Sequence, residues 1–147
     1  QHTTTKPERT VIDYWTVGHG AQPPERHAGA ALDLKARLPE RGWRLVWGFR
    51  RIPTGVALRM PPGAVVRVTG RSSSFLRGII VHDGLIESEF NGREVCALVY
   101  SPWPRIVATV SASQMWALAV DRGAFHALEE APDDVTPGKA GFGSTGR

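Results

Sequence analysis

Trp43-Arg44-Leu45-Val46-Trp47, Pro53-Thr54-Gly55, Val56-Ala57-Leu58-Arg59-Met60, Pro61-Pro62-Gly63 and Val65-Val66-Arg67-Val68 follow one another in the stretch that decides the fold. A period of two sends successive side chains to opposite faces of a strand, and the aromatic and β-branched residues here suit a pleated, half-buried surface. Proline cannot donate to a strand ladder and glycine allows sharp turns, so 53–55 and 61–63 read as breaks between short strands. Punctuation about every ten residues predicts an all-β domain, a jelly-roll-like β-barrel.

Working outward, residues 1–10 are polar and read as a flexible N-terminal arm. Val11–Val17 reads as a strand and Gly18–Glu25, with Pro23-Pro24, as a loop. Ala30–Ala36 is open between strand and helix by period alone, and its shortness and the following Pro39 favour a strand or turn. Past Gly70, Arg71–Arg77 breaks the alternation with a polar patch, and Gly78–His82 resumes as a strand. Gly84–Glu94 reads as a hairpin with its tip near Glu89–Gly92, where the pair Asn91-Gly92 favours a tight turn. Further strands are expected at Val95–Tyr100, Ile106–Val110 and Gln114–Val120, the last of which would also allow a helix. Residues 121–139 contain the acidic run Glu129-Glu130-Ala131-Pro132-Asp133-Asp134, read as solvated linker. The organisation expected is an arm at 1–10, a barrel over 11–128, and a linker with a C-terminal arm over 129–147.

A chain of 147 residues supports one domain with a real core, and 41% hydrophobic against 22% charged residues is ordinary for a globular protein. The net charge of +4 favours an anionic partner, but no block of five Lys/Arg marks a nucleic-acid tail. The single cysteine, Cys96, excludes an intrachain disulfide and sits in an apolar run, so it reads as a buried structural thiol. No apolar stretch approaches a membrane span and the N-terminus lacks a signal-peptide core, so a soluble intracellular protein of cytoplasm or nucleus is expected, with no membrane partner.

Core packing does not explain Ala140-Gly141-Phe142-Gly143-Ser144-Thr145-Gly146-Arg147. Glycines let backbone approach a charged ligand, the Ser144 and Thr145 hydroxyls donate to phosphate oxygens, and the Phe142 ring offers a flat face to a base. This run resembles the closing motif of the trimeric dUTP diphosphatases, and four other segments between Ala28 and Gly146 resemble that family in order. The resemblance implies a dUTPase-type barrel, a homotrimer with sites between subunits, dUTP as substrate and Mg2+ as cofactor. The reaction implied is hydrolysis to dUMP and pyrophosphate.

Ala30-Ala31-Leu32-Asp33-Leu34 is similar to the family's Ala-Gly-Tyr-Asp-Leu, whose aspartate holds magnesium-bound water, so Asp33 takes that role by resemblance. Gly70-Arg71-Ser72-Ser73 resembles the family's Pro-Arg-Ser-Ser, and an arginine fork with two hydroxyls suits phosphate. Gly84-Leu85-Ile86-Glu87-Ser88-Glu89-Phe90-Asn91-Gly92 resembles Gly-Val-Ile-Asp-x-x-Tyr-Arg-Gly. It makes Glu87 the base that activates water and Phe90 the ring under the deoxyribose, while backbone from Gly84 onward reads uracil. The extra methylene of Glu87 shifts its oxygens by roughly a bond length, and a misplacement of about 1 Å can cost about a hundredfold in rate. The family's Gly-Asp-Arg-Ile-Ala-Gln falls on Ser113–Leu118, where neither arginine nor glutamine is kept, and no catalytic role is assigned there. In the terminal motif the preceding arginine is replaced by Pro137, with Lys139 as a substitute charge, and Phe142, Gly143, Ser144 and Thr145 complete the substrate contacts.

These departures motivate an alternative, a catalytically impaired dUTPase-fold protein acting through nucleotide or protein binding. A deaminase of the related dCTP class needs a glutamate where Ala97 stands. A nucleic-acid-binding barrel would rest on the basic charge and on Trp15, Trp43, Trp47, Trp103 and Trp116, which in a strand-rich chain are expected in the core.

Overall fold

The computed structural model describes residues 11–26, 31–108, 111–118 and 125–135, the run 111–118 by its backbone course only. The elements are β1 (Ile12–Thr16), β2 (Glu25–Arg26), β3 (Leu32–Lys35), β4 (Arg44–Arg59), β5 (Val65–Gly70), α1 (Ser72–Leu76), β6 (Ile80–Val81) and β7 (Gly84–Ile86). A 3-10 turn (Ser88–Phe90), β8 (Glu94–Val107), β9 (Ser111–Leu118) and β10 (Phe125–Ala127) complete them. They form two five-stranded sheets, ordered β10-β1-β4-β8-β6 and β2-β3-β9-β5-β7. This is the double-sheet, all-β architecture expected from the alternation.

Alternation places one face of each sheet against the other. Ile12, Leu32, Leu34, Val56, Leu58, Val66 and Val95 are fully buried and come from both sheets, so the main core lies between them. A second cluster joins Val46, Ile52, Ala97, Val99 and Val107 to Ile79 and Val81 beside α1 and β6. Trp15 is core, but Trp43, Trp47 and Trp103 are exposed, which corrects the expectation that the tryptophans lie inside. The side chain of Trp116 lies outside the described residues. Among the described residues no helix is long and apolar enough to cross a membrane.

The expected break at 53–55 is instead a bulge within β4. Pro53 faces Cys96 and Val56 faces Val95, so Thr54 and Gly55 bulge out of register. The Thr54 hydroxyl donates to the Val95 carbonyl at 2.6 Å, and Gly55 N–H donates to Glu94 Oε2 at 2.7 Å. Glycine is required at 55: φ is +72°, and a Cβ would lie 2.7 Å from that of Ala21. Likewise 95–100 and 106–107 belong to one strand, β8, with Pro102 and Pro104 accommodated at a shift between the Gly48–Ser101 and Val46–Arg105 pairs.

Gly84–Glu94 does not close as a hairpin. β7 pairs with β5 while β8 pairs with β4 and β6, so the segment crosses from one sheet to the other. Asn91-Gly92 still turns the chain, but the turn is fixed by tertiary contacts. The Asn91 amide exchanges hydrogen bonds with Met60 N–H and C=O at 3.0 and 2.9 Å, and Gly92 N–H donates to Leu58 O at 2.9 Å. The polar patch after Gly70 is the helix α1, which ends at Gly78 with φ +87°. Gly78 N–H donates to Phe75 O and Ile79 N–H to Ser74 O, the paired bonds of a glycine-terminated helix. β10, a strand that the sequence reading did not name, pairs in parallel with β1.

Candidate active site

Arg71 stands in extended conformation at the start of α1, where β5 leaves its sheet. It follows Gly70, whose hypothetical Cβ would come within 3.1 Å of Val81 Cβ, so a side chain there would require Val81 to give by a few tenths of an ångström. Ser74 and Phe75 N–H groups both donate to Arg71 O, which draws the chain into helix immediately after the arginine. Ser72 is exposed and Ser73 half-buried, and the Ser73 hydroxyl has no hydrogen-bond partner among the described residues.

β3 brings Asp33 to this corner. Asp33 pairs in register with Gln114 of β9, and Gln114 in turn with Thr69 of β5. Arg71 Nε lies 3.3 Å from Asp33 Oδ2, so the aspartate and arginine singled out in the sequence meet directly. Ser113–Leu118, the segment without the family's arginine, forms most of the strand between them.

Gly84 opens β7, the edge strand of its sheet, which leaves one side of its backbone unpaired with any described strand. Glu87 follows in extended conformation (φ −117°, ψ 177°), exposed, with its carbonyl accepting from Phe90 N–H at 2.9 Å. The Phe90 ring is only 8% exposed and belongs to the main core. Its remaining surface opens into a cavity also lined by Arg37, Arg51, Arg93, Glu94 and Cys96.

Register separates the two halves. Gly84 faces Val68 and Ile86 faces Val66, so Glu87 comes abreast of Val65, at the opposite end of β5 from Arg71. A rise of about 3.3 Å per residue puts about 20 Å between them along the strand. Within one chain Glu87 and Arg71 are apart. Lys139, Phe142, Gly143, Ser144 and Thr145 lie outside the described residues.

The family model described as dUTPase matches residues 21–146. The chain belongs to the dUTPase family. It is 33% identical over 129 residues to a deoxyuridine 5'-triphosphate nucleotidohydrolase of Anaeromyxobacter, spanning 84% of this chain and 85% of that protein. It is 42% identical over 104 residues to the Gag-Pro polyprotein of sheep pulmonary adenomatosis virus, 67% of this chain. The match spans about a tenth of that polyprotein's length, the covered share being 10%. Among solved structures the dUTPase of S. aureus phage phi11 superposes with a TM-score of 0.65 at 14% identity, over 82% of this chain and 98% of that one. The dUTPase of Staphylococcus bacteriophage 80alpha, solved with dUpNHpp, gives 0.61 at 16% identity, over 93% and 99%. These likenesses show the same fold.

In this dUTPase family member the ion pair lining the cavity is a feature that sequence reading passed over. Glu94 accepts from Arg37 Nε and Nη2 at 2.8 and 3.0 Å as well as from Gly55 N–H, tying the bulge to the strand that follows the Glu87 segment. That hydrogen bond holds the Arg37 guanidinium above its ordinary value. No local spacing links residues 37, 55 and 94, so nothing in the linear pattern signals the contact. Cys96 in the same cavity is half-buried, less enclosed than the apolar run suggested. Burial, with the Glu94 charge adding to it, pushes its thiol up to about 11. Because the thiolate is the reactive form, alkylation by iodoacetamide at pH 8 is expected to run on the order of a hundredfold slower than for free cysteine and to accelerate towards pH 11. Mass spectrometry of timed samples measures it, and a free-cysteine rate at pH 8 would contradict the burial. Ala97 is fully buried and offers no carboxylate for deamination.

Proposed function

We propose that the chain hydrolyses dUTP to dUMP and pyrophosphate in a site built between the subunits of a homotrimer. The observation that carries the reading is the family match over residues 21–146, which takes in every segment with site chemistry. Arg71, Ser72 and Ser73 bind phosphate oxygens, the arginine by its planar fork and the serines by hydroxyls at the head of α1. Glu87 takes a proton from water as that water attacks the α-phosphorus, the bond to the bridging oxygen breaks, and pyrophosphate leaves. The open backbone edge beginning at Gly84 reads uracil, and Phe90 meets the sugar on the little of its ring that opens into the cavity. Lys139, Phe142, Gly143, Ser144 and Thr145, on the arm formed by 129–147, close over the bound nucleotide.

The separation of Arg71 and Glu87 along β5 supports a shared site, since a second copy must supply the missing half. The outer face of the sheet carrying β4 and β8 supports the same assembly. Leu45, Trp47, Phe49, Tyr100 and Ile106 are exposed there, Phe49 to 82%, and a contiguous apolar face of this kind favours a protein partner.

Among the described residues no group of three or more His, Cys, Asp or Glu gathers as a metal site. Magnesium would reach the site on the triphosphate oxygens, where its charge offsets theirs.

Pyrophosphate release from dUTP, run beside dCTP, dTTP and UTP with magnesium present, tests the function. Release confined to dUTP is expected. Binding of dUTP without turnover would instead make the chain a nucleotide-binding protein on this fold, and no binding at all would remove the site assignment.

A further inference from the structure

We infer that Asp33 is a positioning residue for Arg71 and not a ligand to metal-bound water, an inference that rests on the dUTP reading above. Three observations carry it. Leu32 and Leu34 belong to the main core, so by the period of two Asp33 points to the other face of its sheet, yet it is only 2% exposed. Its Oδ2 lies 3.3 Å from Arg71 Nε, while the Arg71 side chain keeps 30% exposure. Asp33 lies on β3 and Arg71 directly follows β5, two strands separated by β9, and the Asp33–Gln114 and Gln114–Thr69 pairs hold the two corners at fixed offset.

The chemistry follows from the donor inventory. A guanidinium has five N–H donors in a rigid plane, and an ion pair on the Nε side, here without hydrogen-bond geometry to Oδ2, orients that plane while leaving the terminal nitrogens to fork onto a phosphate. A buried carboxylate is therefore well placed to aim the fork and to keep the arginine extended before substrate arrives. Magnesium keeps several waters in octahedral array at about 2.0–2.1 Å, and a carboxylate serving those waters must present a solvent-facing oxygen. Asp33 does not present one.

The test is calorimetric binding of dUpNHpp to the full chain, in EDTA and across a magnesium titration. Asp33→Asn is expected to weaken binding about tenfold in EDTA and by the same factor at saturating magnesium, with the half-effective magnesium concentration unchanged. Arg71→Lys, which keeps the charge and loses the fork, is expected to do the same, and the double substitution to lose no more than either single one. Wild-type affinity of Asp33→Asn in EDTA, together with a tenfold higher magnesium requirement, would overturn the inference while leaving the dUTP reading intact. If Asp33→Asn melts before binding can be measured, Arg71→Lys decides, since wild-type affinity of that variant in EDTA also overturns it. Failure of the wild type to bind dUpNHpp at all removes the dUTP reading and this inference with it.

Discussion

Glu87→Gln is expected to lower kcat for dUTP by about a thousandfold, the middle of the range for a positioned general base, while affinity for dUpNHpp changes by less than about threefold. The carboxylate is exposed and stands in extended backbone before the 3-10 turn, so the amide replaces it without disturbing the core. What disappears is the proton acceptor, a contribution made in the transition state and absent from ground-state binding. Single-turnover pyrophosphate release measures the rate, and an unchanged kcat would remove Glu87 from the reaction. The offset of about 20 Å along β5 adds a second arm to the experiment. Glu87→Gln and Arg71→Ala, each strongly impaired alone, are expected to regain activity well above either one when the two chains are co-refolded. A native site would then draw Arg71 from one subunit and Glu87 from another, whereas no recovery would mean that one chain supplies both.

Removal of residues 137–147 is expected to lower kcat/KM by about a hundredfold with little change in melting temperature. The deleted segment contains Lys139, Phe142, Ser144 and Thr145, the polar and aromatic groups assigned to closing over the nucleotide. The point from which it departs is tied down. Leu128 N–H donates to Tyr14 O at 2.7 Å, and Arg59 bridges Asp13 of β1, at 2.8 Å, to Asp134, at 3.0 Å. Among the described residues of this end of the chain, Phe125 belongs to the main core, and the truncation keeps it. Steady-state kinetics and a thermal melt on the shortened chain check both parts. Wild-type kcat/KM would show that the arm has no catalytic part, and a large fall in melting temperature would show that it belongs to the folded body.

The strands around Trp43–Val68 were legible because alternation and β-branched content are local, and a buried face imposes them on any solution the chain adopts. The Asn91-Gly92 turn was legible for the same reason, its signal residing in adjacent residues. Pro53-Thr54-Gly55 was misread because the same residues that end a strand also make a bulge, and the choice rests on Val95 and Glu94, about forty residues away, supplying the partners. Arg71–Arg77 hid a helix because one turn is too short for a periodic signature, and its end depends on Gly78 adopting positive φ. Trp43, Trp47 and Trp103 show the same limit: hydropathy marks them as apolar without saying which face of the sheet is covered.

From the sequence alone came the all-β class, the strand-forming runs, and the residue types suited to a triphosphate: Arg71, Ser72 and Ser73, the Glu87 carboxylate, and the glycine-rich end. All of these are properties of single residues or short windows. Tertiary structure decided that Gly84–Ile86 and Glu94–Val107 belong to different sheets, that Arg71 and Glu87 occupy opposite ends of β5, and that Asp33 is enclosed against Arg71. Each is a consequence of long-range strand pairing, in which register is set by how two distant segments bury their apolar faces together, and no window of sequence contains both partners.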